Sequence, residues 1–145
     1  MNALHTLIIA YGNPQRGDDA LGPTAAEIVK SWQTSGVKVL SVHQLVPELI
    51  EEMKQVERVL FIDAGMNLDG SDFQACIVAP KHSRRFFGHC ENPANLLALL
   101  YDLEGHAPEA QLLSISAHSF SHGDAITEDA HHHLQAALAW IRIYL

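Results

Sequence analysis

Cysteine, basic charge and long apolar runs are all scarce in this chain, and each scarcity removes a class of protein. There are only two cysteines, Cys76 and Cys90, which make neither a disulfide framework nor a zinc-site pattern. A reducing, cytoplasmic compartment suits them. Lysine and arginine total 9 against 17 aspartates and glutamates, a formal net charge of -8. So acidic a chain has no general attraction for nucleic acid or anionic lipid, which leaves a protein or a small cation as the expected partner. The apolar run in the N-terminal stretch MNALHTLIIAYG has no Lys or Arg before it. It is too short to span a bilayer and lacks signal-peptide flanks, so no membrane association is expected. No internal repeat and no low-complexity segment occurs.

What is present describes one ordinary globular unit. Over 145 residues, 48% are hydrophobic and 18% charged, enough for a single domain, residues 1–145, with its own core. Ten histidines are a weak pointer to metal chemistry or pH sensing.

Leu4 to Ala10 reads as a buried strand that runs into the turn-rich loop Gly12 to Asp19. Leu21, Ala25, Ile28, Val29 and Trp32 then lie on one helical face, with Pro23 in the first turn and Gly36 just past the end. Val37 to Val42 is a second strand, and Pro47 opens a helix carrying Leu49, Ile50, Met53 and Val56 on one side. Val59 to Ile62 is a third strand ending at Asp63, the polar turn Asn67 to Ser71 follows, and Phe73 to Val78 is a fourth strand. A polar loop, Lys81 to Glu91, leads to a leucine-rich helix from Pro93. Leu112 to Ser116 is a fifth strand, and Thr127 is a plausible N-cap for a last helix reaching about Tyr144. Alternating strands and helices predict a three-layer α/β/α sandwich around a mostly parallel five-stranded sheet. The fourth strand follows the third after a short turn and is expected to run antiparallel.

Ligands in open α/β sheets bind beyond the carboxyl ends of the parallel strands. Two acid-bearing loops leave those ends, Gly12 to Asp19 and Asp63 to Asn67. Should the first and third strands be neighbours, the acids meet in one cleft. Asp18 and Asp19 can equally cap a helix and complement its dipole. The first loop is neither a dinucleotide fingerprint nor a P-loop, and two carboxylates would repel a phosphate. Asp is costly inside a buried strand, so Asp63 reads as a cap, a loop hydrogen bond or a site residue, with the last favoured by its place on the sheet. His89, in a polar loop, is more often solvated than a ligand when taken alone. Two acids and a histidine suit a borderline divalent metal such as nickel or zinc, with positions left open.

Other groupings are weaker. His118 and His122 lack the zincin glutamate, and Ser114, Ser116, His118 and Asp124 lack a nucleophile elbow. Cys90 beside His89 reads as a loop or core residue. His131 to His133 span nearly a full helical turn and read as a solvated helix start.

Three of these signals, in their order and context, give the chain a family likeness. It resembles the hydrogenase maturation peptidases, single-domain α/β proteins of about this length. The resemblance runs through Gly12-Asn13, the stretch Gly17-Asp18-Asp19-Ala20-Leu21-Gly22, the pair Asp63-Ala64, and His89 standing seven or eight residues before Leu96 and Leu97. It covers nearly the whole chain, although Ala10 stands where the family often has glycine, and Cys90 and Glu91 are unusual beside the histidine.

The resemblance implies an endopeptidase that removes the C-terminal extension of a nickel-loaded nickel–iron hydrogenase large-subunit precursor. Asp19, Asp63 and His89 would be both its metal-facing and its catalytic residues, Asp18 would cap the helix, and Gly12 and Asn13 would shape the turn. The nickel would arrive with the substrate, with zinc or cadmium able to take its place in a crystal, and the enzyme would act in the cytoplasm as a monomer. A non-catalytic nickel-binding chaperone or checkpoint protein, and an acidic hydrolase of a small substrate, are the alternatives.

Overall fold

The computed structural model describes residues 3–66, 68–82 and 92–145. The elements in chain order are β1 (Thr6–Tyr11), a 3₁₀ turn (Gly17–Ala20), α1 (Leu21–Ser31), β2 (Val37–Val42), a 3₁₀ turn (Pro47–Leu49) running into α2 (Ile50–Met53), β3 (Arg58–Gly65), β4 (Phe73–Ile77), α3 (Pro93–Glu104), β5 (Glu109–Ser116) and α4 (Glu128–Tyr144). The sheet order is β2-β1-β3-β5-β4. β1 pairs in parallel with β2 and β3, β3 with β5, and β4 is antiparallel to β5. This is the α/β sandwich expected, with a mostly parallel sheet.

Strand alternation sorts the core into two layers. Ile8, Leu60, Ile62, Leu113 and Ile115 pack under α1 and α4. Leu7, Ile9, Val59 and Phe61 face the other way, onto Leu49, Met53, Leu96, Leu97 and Leu100. Side chains pointing to opposite faces of a sheet covered on both sides make each central strand a nearly continuous apolar run. The periodicity of these strands follows from that double burial.

The element ends follow local chemistry. Asn92 caps α3 by accepting from Asn95 N at 2.8 Å, and Gly105 closes it in the left-handed conformation, φ 77°. Thr127 caps α4, its hydroxyl accepting from Ala130 N. Gly22 opens α1 where an added Cβ would lie 2.7 Å from Tyr11 O and 3.1 Å from Ile62 O. Only glycine lets this helix start seat so close to the carboxyl ends of β1 and β3.

Three expectations change. The helix after Pro47 is a 3₁₀ turn plus one short α-helical segment, and Val56 lies beyond it, still packed on the core. β4 runs antiparallel as expected, but its partner is β5. The β3–β4 connection passes the end of β5, which α3 returns to the place beside β3. β3 also continues to Gly65, so Asp63 lies within the strand, in register with Ser114 of β5. The ladder persists because the polar Asp63 side chain finds hydroxyl donors on the neighbouring strands, Tyr11 and Ser114.

Candidate active site

β1 and β3 are adjacent, so the loop after β1 and the end of β3 share one edge of the sheet. There the chain puts three carboxylates with different surroundings.

Asp18 is fully buried. Its Oδ2 accepts from His118 N at 2.7 Å, Ser119 N at 3.1 Å and Thr127 Oγ1 at 3.0 Å, while Oδ1 accepts from Thr127 N at 2.7 Å. Burial pushes its carboxyl up, but the Thr127, His118 and Ser119 donors outweigh that and hold it below the ordinary 3.8. Asp18 therefore does not cap the helix that follows it. The 3₁₀ turn carries no side-chain cap, and Asp18 points away to tie down the loop between β5 and α4. The reason is demand: three backbone N–H groups of that loop converge on one buried point and need an acceptor.

Asp19, its neighbour, turns the other way and is half-buried. Its Oδ2 accepts from Asn13 N at 2.7 Å, closing the Gly12–Asn13 turn on itself. Gly12 has φ 151°, and a Cβ there would come within 2.2 Å of Asp19 O. The turn can hold Asp19 in this place only because position 12 has no side chain.

Asp63 is half-buried. Ser114 Oγ donates to Oδ1 at 2.8 Å and Tyr11 Oη donates to Oδ2 at 3.0 Å. Burial raises its carboxyl above 3.8, the two hydroxyls pull it back part of the way, and the charge of nearby Asp19 raises it further. Tyr11 in turn is driven well above its ordinary value by burial and by Asp63, so its hydroxyl keeps its proton and remains a donor. Asp19 and Asp63 are thus close enough to repel, and a cation between them would relieve the repulsion.

Of the three residues singled out in the sequence, Asp19 and Asp63 come together at this edge, and His89 lies outside the described residues, as does Cys90. Among the described residues, no group of three His, Cys, Asp or Glu side chains could hold a metal ion. The oxygen donors at hand are therefore two carboxylates, a set that suits a borderline or hard divalent cation if a further ligand is supplied. The sequence does not mark Tyr11 and Ser114 as partners of Asp63, and Ser114 stands out there only within the weak serine grouping. Their only signal was position: with Asp63 facing one side of the sheet, residues at matching register on both neighbouring strands must face it as well.

The histidines also sort differently from expectation. His131 and His132 are exposed, but His133 is turned inward, its side chain 16% exposed. Its Nδ1 lies 2.9 Å from Ser116 O, and its ring stacks on His118 with centroids 5.3 Å apart. Both rings line a surface cavity of about 540 Å³ with Met66, Leu68 and Ser116. α4 presents a single histidine to the β5 carbonyl, and that is enough to bury one member of a triplet whose other two face solvent.

No family model matches the sequence, and no curated protein matches it. Solved structures do. Over 97% of this chain and 99% of its own, a NiFe hydrogenase maturation protease HybD from Thermococcus kodakarensis superposes with a TM-score of 0.74 at 20% identity. HycI, a NiFe hydrogenase maturation protease from the same organism, superposes with a TM-score of 0.74 at 20% identity, over 94% of this chain and 89% of its own. The hydrogenase maturating endopeptidase HybD from E. coli gives 0.73 at 18% identity, over 95% and 90%. The fold is therefore that of the hydrogenase maturation endopeptidases along nearly its full length. Among the described residues no helix is long and apolar enough to cross a membrane.

Proposed function

We propose that this protein is a cytoplasmic endopeptidase, acting as a monomer, that removes the C-terminal extension from a nickel-loaded nickel–iron hydrogenase large-subunit precursor. The observation that carries the reading is the pair Asp19 and Asp63, held by Asn13, Tyr11 and Ser114 at the carboxyl edge of the parallel strands in a fold shared with such endopeptidases.

In this reading the nickel is part of the substrate. Asp19, Asp63 and His89 fill its open coordination positions when the precursor enters the cleft. Asp63 gains most, because its carboxylate is desolvated and already repelled by Asp19. Metal recognition thus makes cleavage conditional on prior loading. The scissile peptide lies beside the metal, which polarises its carbonyl, or beside a water whose proton a carboxylate of the pair takes; the water oxygen bonds to the carbonyl carbon, and as the C–N bond breaks a proton passes to the leaving nitrogen, giving a new carboxyl terminus and an amine. Tyr11, protonated and donating, keeps Asp63 aimed.

The test is a mass measurement. Purified protein incubated with nickel-loaded precursor should shorten it by one C-terminal peptide, and metal-free precursor should stay intact. Asp19→Asn and His89→Ala should fold and fail to cleave. Nickel-dependent binding with no change in precursor mass would replace the peptidase with a checkpoint chaperone.

A further inference from the structure

β4 is an edge strand built without the usual protections. Asp72 O accepts from Ser116 N and Val78 N donates to Ala110 O, and with the antiparallel register of β4 on β5 this fixes which way each residue points. Residues 72, 74, 76 and 78 turn their backbone groups toward β5. Phe73, Ala75 and Ile77 therefore turn their N–H and C=O groups outward, where no described residue pairs with them.

Natural edge strands are blunted by charge, proline or a bulge. Phe73–Ile77 reads FQACI, with none of the first two, in a chain of net charge -8. Gln74, Ala75, Cys76 and Ile77 are all exposed, Ile77 at 85%. Beyond the far end of the strand lies a groove of about 610 Å³ walled by Ile77, Pro80, Pro108 and Tyr144.

Register ties this edge to the acid pair. Asp63 of β3, Ser114 of β5 and Gln74 of β4 form one row across the sheet. A strand added outside β4 would lie three strand spacings from Asp63, about 14 Å. Added antiparallel to β4, it would run parallel to β3 and β5, and its C-terminal end would emerge at the edge of the sheet that carries Asp19 and Asp63. Four or five more residues, at roughly 3.3 Å each, would carry the chain to the acids.

We propose that β4 is the docking edge for the substrate, and that it pairs with an extended, uncharged segment of the precursor lying just ahead of the scissile bond. The groove past Ile77 takes an apolar side chain near the start of that segment. Backbone pairing supplies most of the hold and fixes direction, and the groove supplies register. This rests on the peptidase reading above.

Two variants test it. Ala75→Pro removes an outward N–H and leaves the β4–β5 ladder intact. Ile77→Lys places charge on a position that is 85% exposed. Each should raise KM for the nickel-loaded precursor at least tenfold and leave kcat within twofold. In the unmodified protein, precursor should slow deuterium exchange at Phe73, Ala75 and Ile77. Unchanged KM in both variants, or no slowing of exchange, overturns the docking edge and leaves the peptidase reading standing. If the protein cleaves nothing, the peptidase reading fails alone, and slowed exchange in the presence of precursor would still support the edge. Protection that grows with protein concentration alone, with a sedimenting dimer that Ala75→Pro abolishes, would assign the edge to a second copy and overturn the proposal.

Discussion

Asp18 and Asp63 are both carboxylates taken out of water at the same edge of one sheet, yet they are held in opposite ways. Asp18 receives four donors, three of them backbone N–H groups, and its carboxyl falls below the ordinary range. Asp63 receives two hydroxyls, faces another carboxylate, and its carboxyl rises. Donor count against desolvation decides the sign. A saturated buried acid stabilises the fold, whereas an under-satisfied one is a cost that only a ligand recovers. Between them stands Asp19, one residue from Asp18 in sequence and part of the other environment in space.

The largest way to break this contrast is at the under-satisfied pair. Asp63→Asn should lower the rate of precursor cleavage by about a thousandfold or more, corresponding to roughly 4 kcal/mol of lost barrier reduction, measured by single-turnover mass spectrometry. A rate within tenfold would remove Asp63 from the chemistry. Next comes Asp18→Ala, which orphans three backbone donors at once. Its cost should be about 3–4 kcal/mol in urea unfolding, large enough to lower Tm by roughly 10 °C. Its pH signature is set by direction. The folded carboxyl sits below 3.8, so its stabilisation is complete above that value and disappears as pH falls through the folded one. Asp18→Asn should lack that acid-side loss.

Asp63 sharpens the contrast from the other side, because the substitution that removes activity should improve stability. Its carboxyl is raised above 3.8, so stability declines as pH climbs from that value through the folded one, and the deficit persists at neutral pH. Asn carries no charge; its Oδ1 accepts from one of the two hydroxyls and its Nδ2 donates to the other once that hydroxyl turns to accept. Asp63→Asn should therefore melt higher at pH 7, by about 1 kcal/mol or roughly 3 °C, and no higher than the parent below pH 3.8. Equal melting at both pH values would mean that Asp63 is not strained.

Much of this arrangement was legible in the sequence, for identifiable reasons. The two-sided strands and the helix that Thr127 caps follow from local patterns that read the same in any context. That Asp19 rather than Asp18 faces the Asp63 side was expected only from family resemblance. The physical reason for it lies in Thr127, more than a hundred residues away, and no local pattern carries such a contact. The same holds for Ser114 and Tyr11. Each meets Asp63 across a strand pair, and pairing order is a property of the whole sheet. β4 shows the limit most clearly: its direction followed from the short turn, but its neighbour depended on where α3 returned the chain.

The smallest effect discriminates most finely, because it changes the donor count at Asp63 by one. Ser114 lowers the Asp63 carboxyl by donating to Oδ1. Ser114→Ala removes that donor and leaves Tyr11 in place, so the carboxyl should move further up. If cleavage needs Asp63 ionised, the acid limb of the pH–rate profile must shift to higher pH. The plateau rate should stay within about threefold, under 1 kcal/mol, since the ionised form still reaches the substrate. A plateau loss with an unmoved acid limb would instead make Ser114 a group that touches the substrate. An unmoved profile in both respects would mean that donor count is not what separates Asp63 from Asp18.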